Sequence, residues 1–289
     1  MTRSPFFVLY NPEAHMKLFV TDIDDTLIAG GPVPREVRDA FRRLREAGWD
    51  ITVATGRNRG LAREYMEAIG VTQPAILCNG GRITDPCGHS LHTEFMEPGP
   101  AERILETVWD APAEVQVVGD ECVSCRPQDA DTRAFYGAAV PVHLIHEPRL
   151  RGPALSIGLW MPSELLEGLF VRMKERFVDE AEVCTGGPRT LDFHPRGVSK
   201  GSALELLAAK FLPVRPEVIV AAGDHMNDFQ LLCRADVAAA PENACPDILE
   251  KADLICPPAE QGGIRALAEH LLSPDFSPSP RKGSPLHLV

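Results

Sequence analysis

Four aspartates are spaced as two pairs that could bind a metal ion or work as a general acid and base. Asp22 and Asp24 follow an apolar, β-prone run, and Asp224 and Asp228 follow a second such run near the other end of the chain. Both pairs are predicted to lie at the carboxyl ends of buried parallel strands, where open α/β sheets bind ligands. Crowded carboxylates raise one another's pKa values unless a cation separates them. Mg²⁺ is the expected cofactor, because it takes oxygen ligands and tolerates a substrate phosphate.

Thr55 and Lys200 are predicted to reach the same edge of the sheet. Thr55 follows the next β-prone run, and Lys200 opens a helical pattern late in the chain. Taken alone, Thr55 could instead cap the helix that follows it. The positive end of the helix dipole disfavours a cation at the first residue of a helix, and a phosphate opposite Lys200 would explain its presence there. The predicted site is therefore directed at a phosphorylated ligand.

Strands and helices alternate at both ends of the chain, which predicts an α/β fold with a doubly wound, mostly parallel, Rossmann-like sheet. The strand that starts at Lys17 is followed by a helical pattern from Pro34, with Gly48 at its C-terminal cap. The further units are a strand over 50–54, a helix to Ile69, a strand over 75–78, a helix over 200–211 and a strand over 218–222.

The alternation breaks down between residues 84 and 190, where short strands and two helices are predicted. We interpret 84–190 as an inserted α+β cap domain that interrupts a core formed by 1–83 and 191–289. Residues 1–15 and 273–289 are predicted to be peripheral extensions of this core. The second extension is rich in Pro and Ser and is expected to form no regular element.

Four short motifs stand in a fixed order, and together they are specific although each alone is weak. They are DxDxT at 22–26, ATGR at 54–57, a lysine motif at 197–201 and GDxxND at 223–228. In these motifs the sequence resembles the haloacid dehalogenase-like phosphatases, and specifically the Cof-type branch (subfamily IIB), in which a large α/β cap is inserted between the second and third motifs. It departs from the commoner first motif at Asp25, where glycine is usual.

The resemblance implies a covalent mechanism for the transfer of a phosphoryl group. Asp22 would attack the phosphorus to form an aspartyl-phosphate, and Asp24 would protonate the leaving oxygen and then activate water. Thr55 and Lys200 would hold the transferring oxygens and offset their charge in the transition state.

The resemblance also implies which residues bind the metal and the substrate. Mg²⁺ would bind the carboxylates of Asp22 and Asp224 and the backbone carbonyl of Asp24. Asp228 would contribute directly or through a water molecule, so the predicted metal residues are all four aspartates. The predicted substrate-binding residues are Thr55, Gly56, Arg57, Asn79, Gly80, Lys200 and Asn227.

These expectations describe a Mg²⁺-dependent phosphatase that acts on a small phosphorylated metabolite such as a sugar phosphate. A phosphomutase would use the same nucleophile, and a sensor that binds phosphometabolites without turnover is the alternative from another class. A dehalogenase is disfavoured, because it would not need Asp24 or the metal-binding pair Asp224 and Asp228.

Composition excludes several other classes of protein. The 289 residues carry 29 Lys and Arg against 41 Asp and Glu, a formal net charge of −12 with no dense basic run. Nucleic acids and anionic membranes bind clustered positive charge, so neither is an expected partner. No apolar run approaches the roughly 20 residues that span a bilayer, and a cytoplasmic monomer or homodimer with reduced cysteines is expected.

Overall fold

A computed structural model describes residues 16–276, 278 and 285–288, so the predicted extension over 1–15 lies outside the described residues. The helices are α1 (Arg35–Glu46), α2 (Arg59–Ile69), α3 (Pro98–Val108), α4 (Ala130–Gly137), α5 (Ser163–Arg176), α6 (Lys200–Lys210), α7 (Phe229–Leu232), α8 (Pro246–Lys251) and α9 (Gly263–Leu271). The strands are β1 (Lys17–Thr21), β2 (Trp49–Val53), β3 (Ala75–Leu77), β4 (Arg82–Thr84), β5 (Ser90–Thr93), β6 (Glu114–Gly119), β7 (Val123–Cys125), β8 (Val142–Leu144), β9 (Ala154–Trp160), β10 (Ala181–Thr185), β11 (Thr190–Pro195), β12 (Val218–Ala222), β13 (Val237–Pro241), β14 (Leu254–Cys256) and β15 (Leu286–His287).

A parallel sheet with helices on both faces forms the core, which confirms the predicted fold class. Its strand order is β15-β14-β13-β12-β1-β2, and every neighbouring pair is parallel. Phe19 of β1 stacks on Phe41 of α1 on one face, with ring centroids 5.6 Å apart. Leu18 and Val20 pack with Leu204 of α6 on the other face. Burial on both faces explains why the middle of β1, from Leu18 to Val20, is apolar without alternation.

A second sheet, in the order β10-β11-β9-β6-β7-β8, lies in the predicted insert. Its paired strands are antiparallel except for β7 and β8. Helices α3 and α5 cover one of its faces, where Leu105, Leu166 and Met173 pack against Ile157. Because β11 pairs with β9 and β10, this sheet extends to Pro195. We therefore propose that the insert ends near residue 195 rather than at 190. It begins after β5 rather than at 84, because β5 pairs with β4 and β4 pairs with β3.

The C-terminal segment contributes an edge strand to the core, so the prediction of no regular element over 273–289 is wrong for its last described residues. In β15 the Leu286 N–H donates to the Asp253 carbonyl at 3.0 Å, and the Leu288 N–H donates to Ile255 at 2.7 Å. The unpaired edge of β14 supplies these partners, which a local composition does not reveal. None of the helices in the described ranges is long and apolar enough to cross a membrane.

Candidate active site

The candidate site lies at the carboxyl ends of three neighbouring strands, β12, β1 and β2. Strand pairing continues past these ends, because the Asp22 N–H donates to the Ala222 carbonyl at 2.9 Å. Beyond β2 the Thr55 N–H donates to the Ile76 carbonyl at 3.0 Å, which ties its turn to β3. Asp22 and Thr55 are therefore fixed by backbone hydrogen bonds at one edge of the sheet, as the sequence predicted for this fold.

Three of the predicted aspartates form a buried cluster. Carboxylate oxygens of Asp22, Asp224 and Asp228 all lie within 4.8 Å of one another. The Thr26 hydroxyl donates to Asp224 Oδ1 at 2.9 Å and so orients that carboxylate. Burial, together with Asp228, raises the pKa of Asp224 to about 7, and burial raises the pKa of Asp22 well above its ordinary range. A cluster of oxygen ligands with this excess of negative charge fits a hard divalent cation.

The ammonium group of Lys200 lies inside this cluster. Lys200 Nζ is 2.6 Å from Asp228 Oδ1 and 3.0 Å from Asp22 Oδ1, and its side chain is fully buried. Burial lowers the pKa of Lys200, but Asp22 and Asp228 outweigh that effect and hold it above its ordinary value. A capping box of Ser199 and Ser202 begins α6 at this point. The two carboxylates therefore account for a cation at the start of this helix. From the sequence alone, a phosphate opposite Lys200 was the expected reason.

Asp24, the predicted acid and base, lies apart from the buried cluster. Its carboxylate is half exposed and receives two hydrogen bonds from Arg57, from Nη2 at 2.6 Å and from Nε at 2.9 Å. The Arg57 guanidinium lies over the Tyr65 ring, 4.6 Å from its centroid. Arg57, predicted to contact the substrate, is thus the partner of Asp24 in this structure, and the side chain of Asp24 is not among the clustered metal-ligating groups of the described residues.

The departure from the family pattern at Asp25 is accommodated in the turn after β1. Asp25 has a φ of +53°, in the left-handed region that glycine enters most easily. Aspartate is one of the side chains that tolerates this region. The turn is closed by the Ile23 carbonyl, which accepts from the N–H groups of Leu27 and Ile28 at 3.0 Å. The aspartate therefore leaves the geometry of the first motif intact.

The predicted substrate-binding turns contact one another directly. The Asn79 N–H donates to the Thr55 carbonyl at 2.9 Å, and a Cβ placed on Gly56 would stand 3.3 Å from the Asn79 amide. Gly80 has a φ of +105°, and a Cβ there would come within 2.3 Å of the Ser199 carbonyl oxygen. The structure thus brings the turns after β2 and β3 against the start of α6, and only glycine fits at position 80.

Asn79 also links the core to the second sheet. Its Nδ2 donates to His194 Nε2 of β11 at 3.1 Å, and Asn227 Nδ2 donates to its Oδ1 at 3.1 Å. His194 was missed by the sequence analysis, because it belongs to no motif and stands after the predicted end of the insert. Its position three residues before Gly197 does not by itself indicate a functional role.

Comparison with known proteins agrees with this geometry. A family model for haloacid dehalogenase-like hydrolases matches residues 19–267. The chain belongs to the haloacid dehalogenase-like hydrolase family. This confirms the family that the motifs indicated, and with it the prediction that the chain is an enzyme of the hydrolase class.

Relatives of this hydrolase include proteins named HMP-PP phosphatase. One from Serratia proteamaculans is 28% identical over 273 residues, which cover 91% of this chain and 98% of the relative. Another, from Klebsiella pneumoniae, is 29% identical over 245 residues, which cover 82% and 88%. A haloacid dehalogenase-like hydrolase of Bacillus subtilis shares the fold with a TM-score of 0.76 at 22% identity, covering 89% of this chain and all of that chain. A sugar phosphatase of subclass IIB shares it with a TM-score of 0.74 at 17% identity, covering 89% and 99%.

We expect His194 to make the stability of this hydrolase depend on pH. Burial, with a smaller contribution from Lys200, lowers the pKa of His194 to about 4, below the unfolded value of about 6.5. The unfolded state therefore binds the proton first, so the contribution of His194 to stability is complete above about pH 6.5 and is lost as the pH drops towards 4. The loss contributed by this group should reach about 3 kcal/mol.

The measurement is the free energy of unfolding in urea between pH 4 and 7, for wild type and for His194→Gln. In His194→Gln the free energy of unfolding should fall less steeply as the pH drops. In the control His146→Gln, at an exposed histidine, it should fall as steeply as in wild type. An unchanged slope in His194→Gln would contradict the burial of a neutral imidazole.

Proposed function

We propose that the chain is a Mg²⁺-dependent phosphatase that hydrolyses a small phosphorylated metabolite through an aspartyl-phosphate on Asp22. The observation that carries this proposal is the buried cluster in which Lys200 Nζ lies 3.0 Å from Asp22, beside Asp224 and Asp228. The relatives named HMP-PP phosphatase and the sugar phosphatase of the same fold support it. The cytoplasmic location and the monomeric or dimeric state stay predictions.

In the first step an Asp22 oxygen attacks the phosphorus, the bond from phosphorus to the ester oxygen breaks, and the leaving alkoxide takes a proton from Asp24. In the second step Asp24 accepts a proton from water, whose oxygen attacks the phosphorus and releases Asp22 and inorganic phosphate. The nearby ammonium of Lys200 favours the ionised, nucleophilic form of Asp22. It also offsets charge that develops on the phosphoryl oxygens.

Proton transfer by Asp24 requires its pair with Arg57 to separate. Both carboxylate oxygens of Asp24 accept hydrogen bonds from the guanidinium in this structure. A phosphate group competes well for such a guanidinium, since arginine binds carboxylates and phosphates with the same planar fork. We therefore propose that a bound substrate draws Arg57 away and leaves Asp24 facing the ester oxygen.

The residues present fit a bound Mg²⁺. Lys200 supplies one positive charge against the three clustered carboxylates, and the raised pKa of Asp224, about 7, reflects its burial beside Asp228. The carboxylates of Asp22, Asp224 and Asp228, with the backbone carbonyl of Asp24, would hold the ion. When bound, it would offset the negative charge of the carboxylates and of the phosphoryl oxygens.

The experiment that tests the function is phosphate release from a panel of sugar phosphates, nucleotides, pyridoxal phosphate and an aryl phosphate, with Mg²⁺ or with EDTA. We expect release that falls at least about 100-fold in EDTA and returns with excess Mg²⁺, because the cation supplies several kcal/mol of charge stabilisation. Equal rates with and without the chelator would contradict the role of the metal. Isomerisation of a sugar phosphate without release would favour a phosphomutase instead.

A further inference from the structure

Three residues that are not apolar form a row across the second sheet, between apolar residues of the same strands. Gln116 of β6 is paired with Gly158 of β9, and Gly158 is paired with Asp192 of β11. Directly paired residues point to the same face of a sheet, and the residues on either side point to the other. Those flanking residues pack under α3 and α5: they are Val115, Val117, Ile157, Leu159, Leu191 and Phe193. The row therefore lies on the face away from these helices.

This face is turned towards the candidate active site. His194 lies two residues beyond Asp192 on the same strand, hence on the same face, and it contacts Asn79. A Cβ placed on Gly186 would stand 3.3 Å from both Asn227 Nδ2 and Asp192 Oδ2. Asp192 is thus separated from Asn227, a predicted substrate-binding residue, by little more than the space of one methyl group.

Gln116 and Asp192 converge over Gly158. A Cβ placed on Gly158 would lie 2.5 Å from Gln116 Nε2 and 2.9 Å from Asp192 Oδ1. Any other residue at position 158 would push these two side chains apart, so glycine is what allows them to stand together. An amide and a carboxylate side by side can bind two neighbouring polar groups of one ligand.

Several polar atoms at this face have no hydrogen-bond partner within the described part of the chain. They include the oxygen Gln116 Oε1 and the nitrogen His194 Nδ1, whose residues are 7% and 2% exposed, and, on the core side, Asn227 Oδ1. Asp192, which is half-buried, stands beside these atoms on the same face. Buried polar groups are nearly always paired in native proteins. Such atoms beside the site are available to the polar groups of a bound ligand.

We propose that Gln116 and Asp192, standing over Gly158, select the leaving group of the substrate. Because oxygen acceptors predominate, they bind a leaving group that carries O–H or N–H donors and reject one that carries a second anion. This inference rests on the proposed phosphatase function and deepens it. Rejection follows from the carboxylate of Asp192, since a half-buried negative charge repels a carboxylate or phosphate placed beside it.

The test compares two esters that differ only at the end remote from the phosphate. Sorbitol 6-phosphate ends in a hydroxymethyl group and 6-phosphogluconate ends in a carboxylate. At pH 8, above the Asp192 pKa of about 7 that burial produces, wild type should favour the sorbitol ester at least about tenfold in kcat/KM. Asp192→Asn should reduce that ratio about tenfold, and Gln116→Met should reduce it by lowering kcat/KM for the sorbitol ester.

The matched control is Asp179→Asn, the same change at an exposed carboxylate of the insert that is 3.6 Å from Arg196. It should leave the ratio within twofold of wild type. Comparing glucosamine 6-phosphate with glucose 6-phosphate tells whether an amino or a hydroxyl donor is preferred, and Asp192→Asn should reduce that preference.

Calorimetric binding of the sorbitol and gluconate esters to Asp22→Asn keeps this inference separate from the phosphatase proposal. If wild type hydrolyses neither ester, the phosphatase proposal fails for them, while tighter binding of the sorbitol ester still supports the selection. Equal affinities, or an unchanged ratio in Asp192→Asn, would overturn the selection even if phosphate release is fast.

Discussion

Asp22→Asn should release phosphate at least about 10⁴-fold more slowly than wild type, because removal of a covalent nucleophile leaves only binding and charge stabilisation. Asparagine has nearly the shape of aspartate, so the backbone hydrogen bond from residue 22 to Ala222 should persist. The variant also removes one of three crowded carboxylates, and burial raises the pKa of Asp22 because its ionised form is costly there. We therefore expect its free energy of unfolding to stay equal or rise.

The measurement is phosphate release on the most active ester of the panel, with the free energy of unfolding determined in parallel. Mass spectrometry of acid-quenched wild type should find phosphate on the peptide that contains Asp22. The control is Asp25→Asn, the same change three residues along the same turn, where asparagine also tolerates the φ of +53°. It should retain activity within about threefold. Release by Asp22→Asn at the wild-type rate would refute the nucleophile.

The core of the site could be predicted because local sequence determines where a buried parallel strand ends. The apolar run of β1 must stop where a charged side chain leaves the sheet, so Asp22 was placed correctly at the carboxyl end, and the same argument held for Asp224 after β12. Parallel strands align their carboxyl ends, so residues distant in sequence were expected to meet. The observed contact of Lys200 with Asp22 and Asp228 agrees with that expectation.

The rest could not be predicted because it depends on contacts between segments without a local pattern. The pairing of Asp24 with Arg57 is set by side-chain rotamers in two different turns. His194 and Asp192 reach the site through the register of β11 in an antiparallel sheet, and one residue of slip would turn both away. The short strand β15 is stabilised by an edge that lies far from it in sequence.

Lys200→Met should lower both stability and activity more than any other single change to the positively charged residues of the site. Methionine has a similar length, but it leaves Asp22 and Asp228 buried without the ammonium that lies 3.0 and 2.6 Å from them. Removing one partner of a buried ion pair costs about 3–5 kcal/mol, because an uncompensated charge remains. Loss of a donor to the phosphoryl oxygens should lower kcat a further 10²- to 10³-fold, roughly the effect of removing one oxyanion donor.

A double variant separates the electrostatic effect from simple damage to α6. Adding Asp228→Asn to Lys200→Met removes one of the stranded charges, so part of the lost stability should return while activity stays low. The matched control is Lys210→Met, the same change at the exposed end of α6. Its free energy of unfolding should lie within about 0.5 kcal/mol of the wild-type value. If the free energy of unfolding of Lys200→Met also lay that close to the wild-type value, the ion pairs of Lys200 would contribute no net stability. The buried ammonium would then be retained for its action on the phosphoryl group alone, as expected where a charge is kept for chemistry rather than for folding.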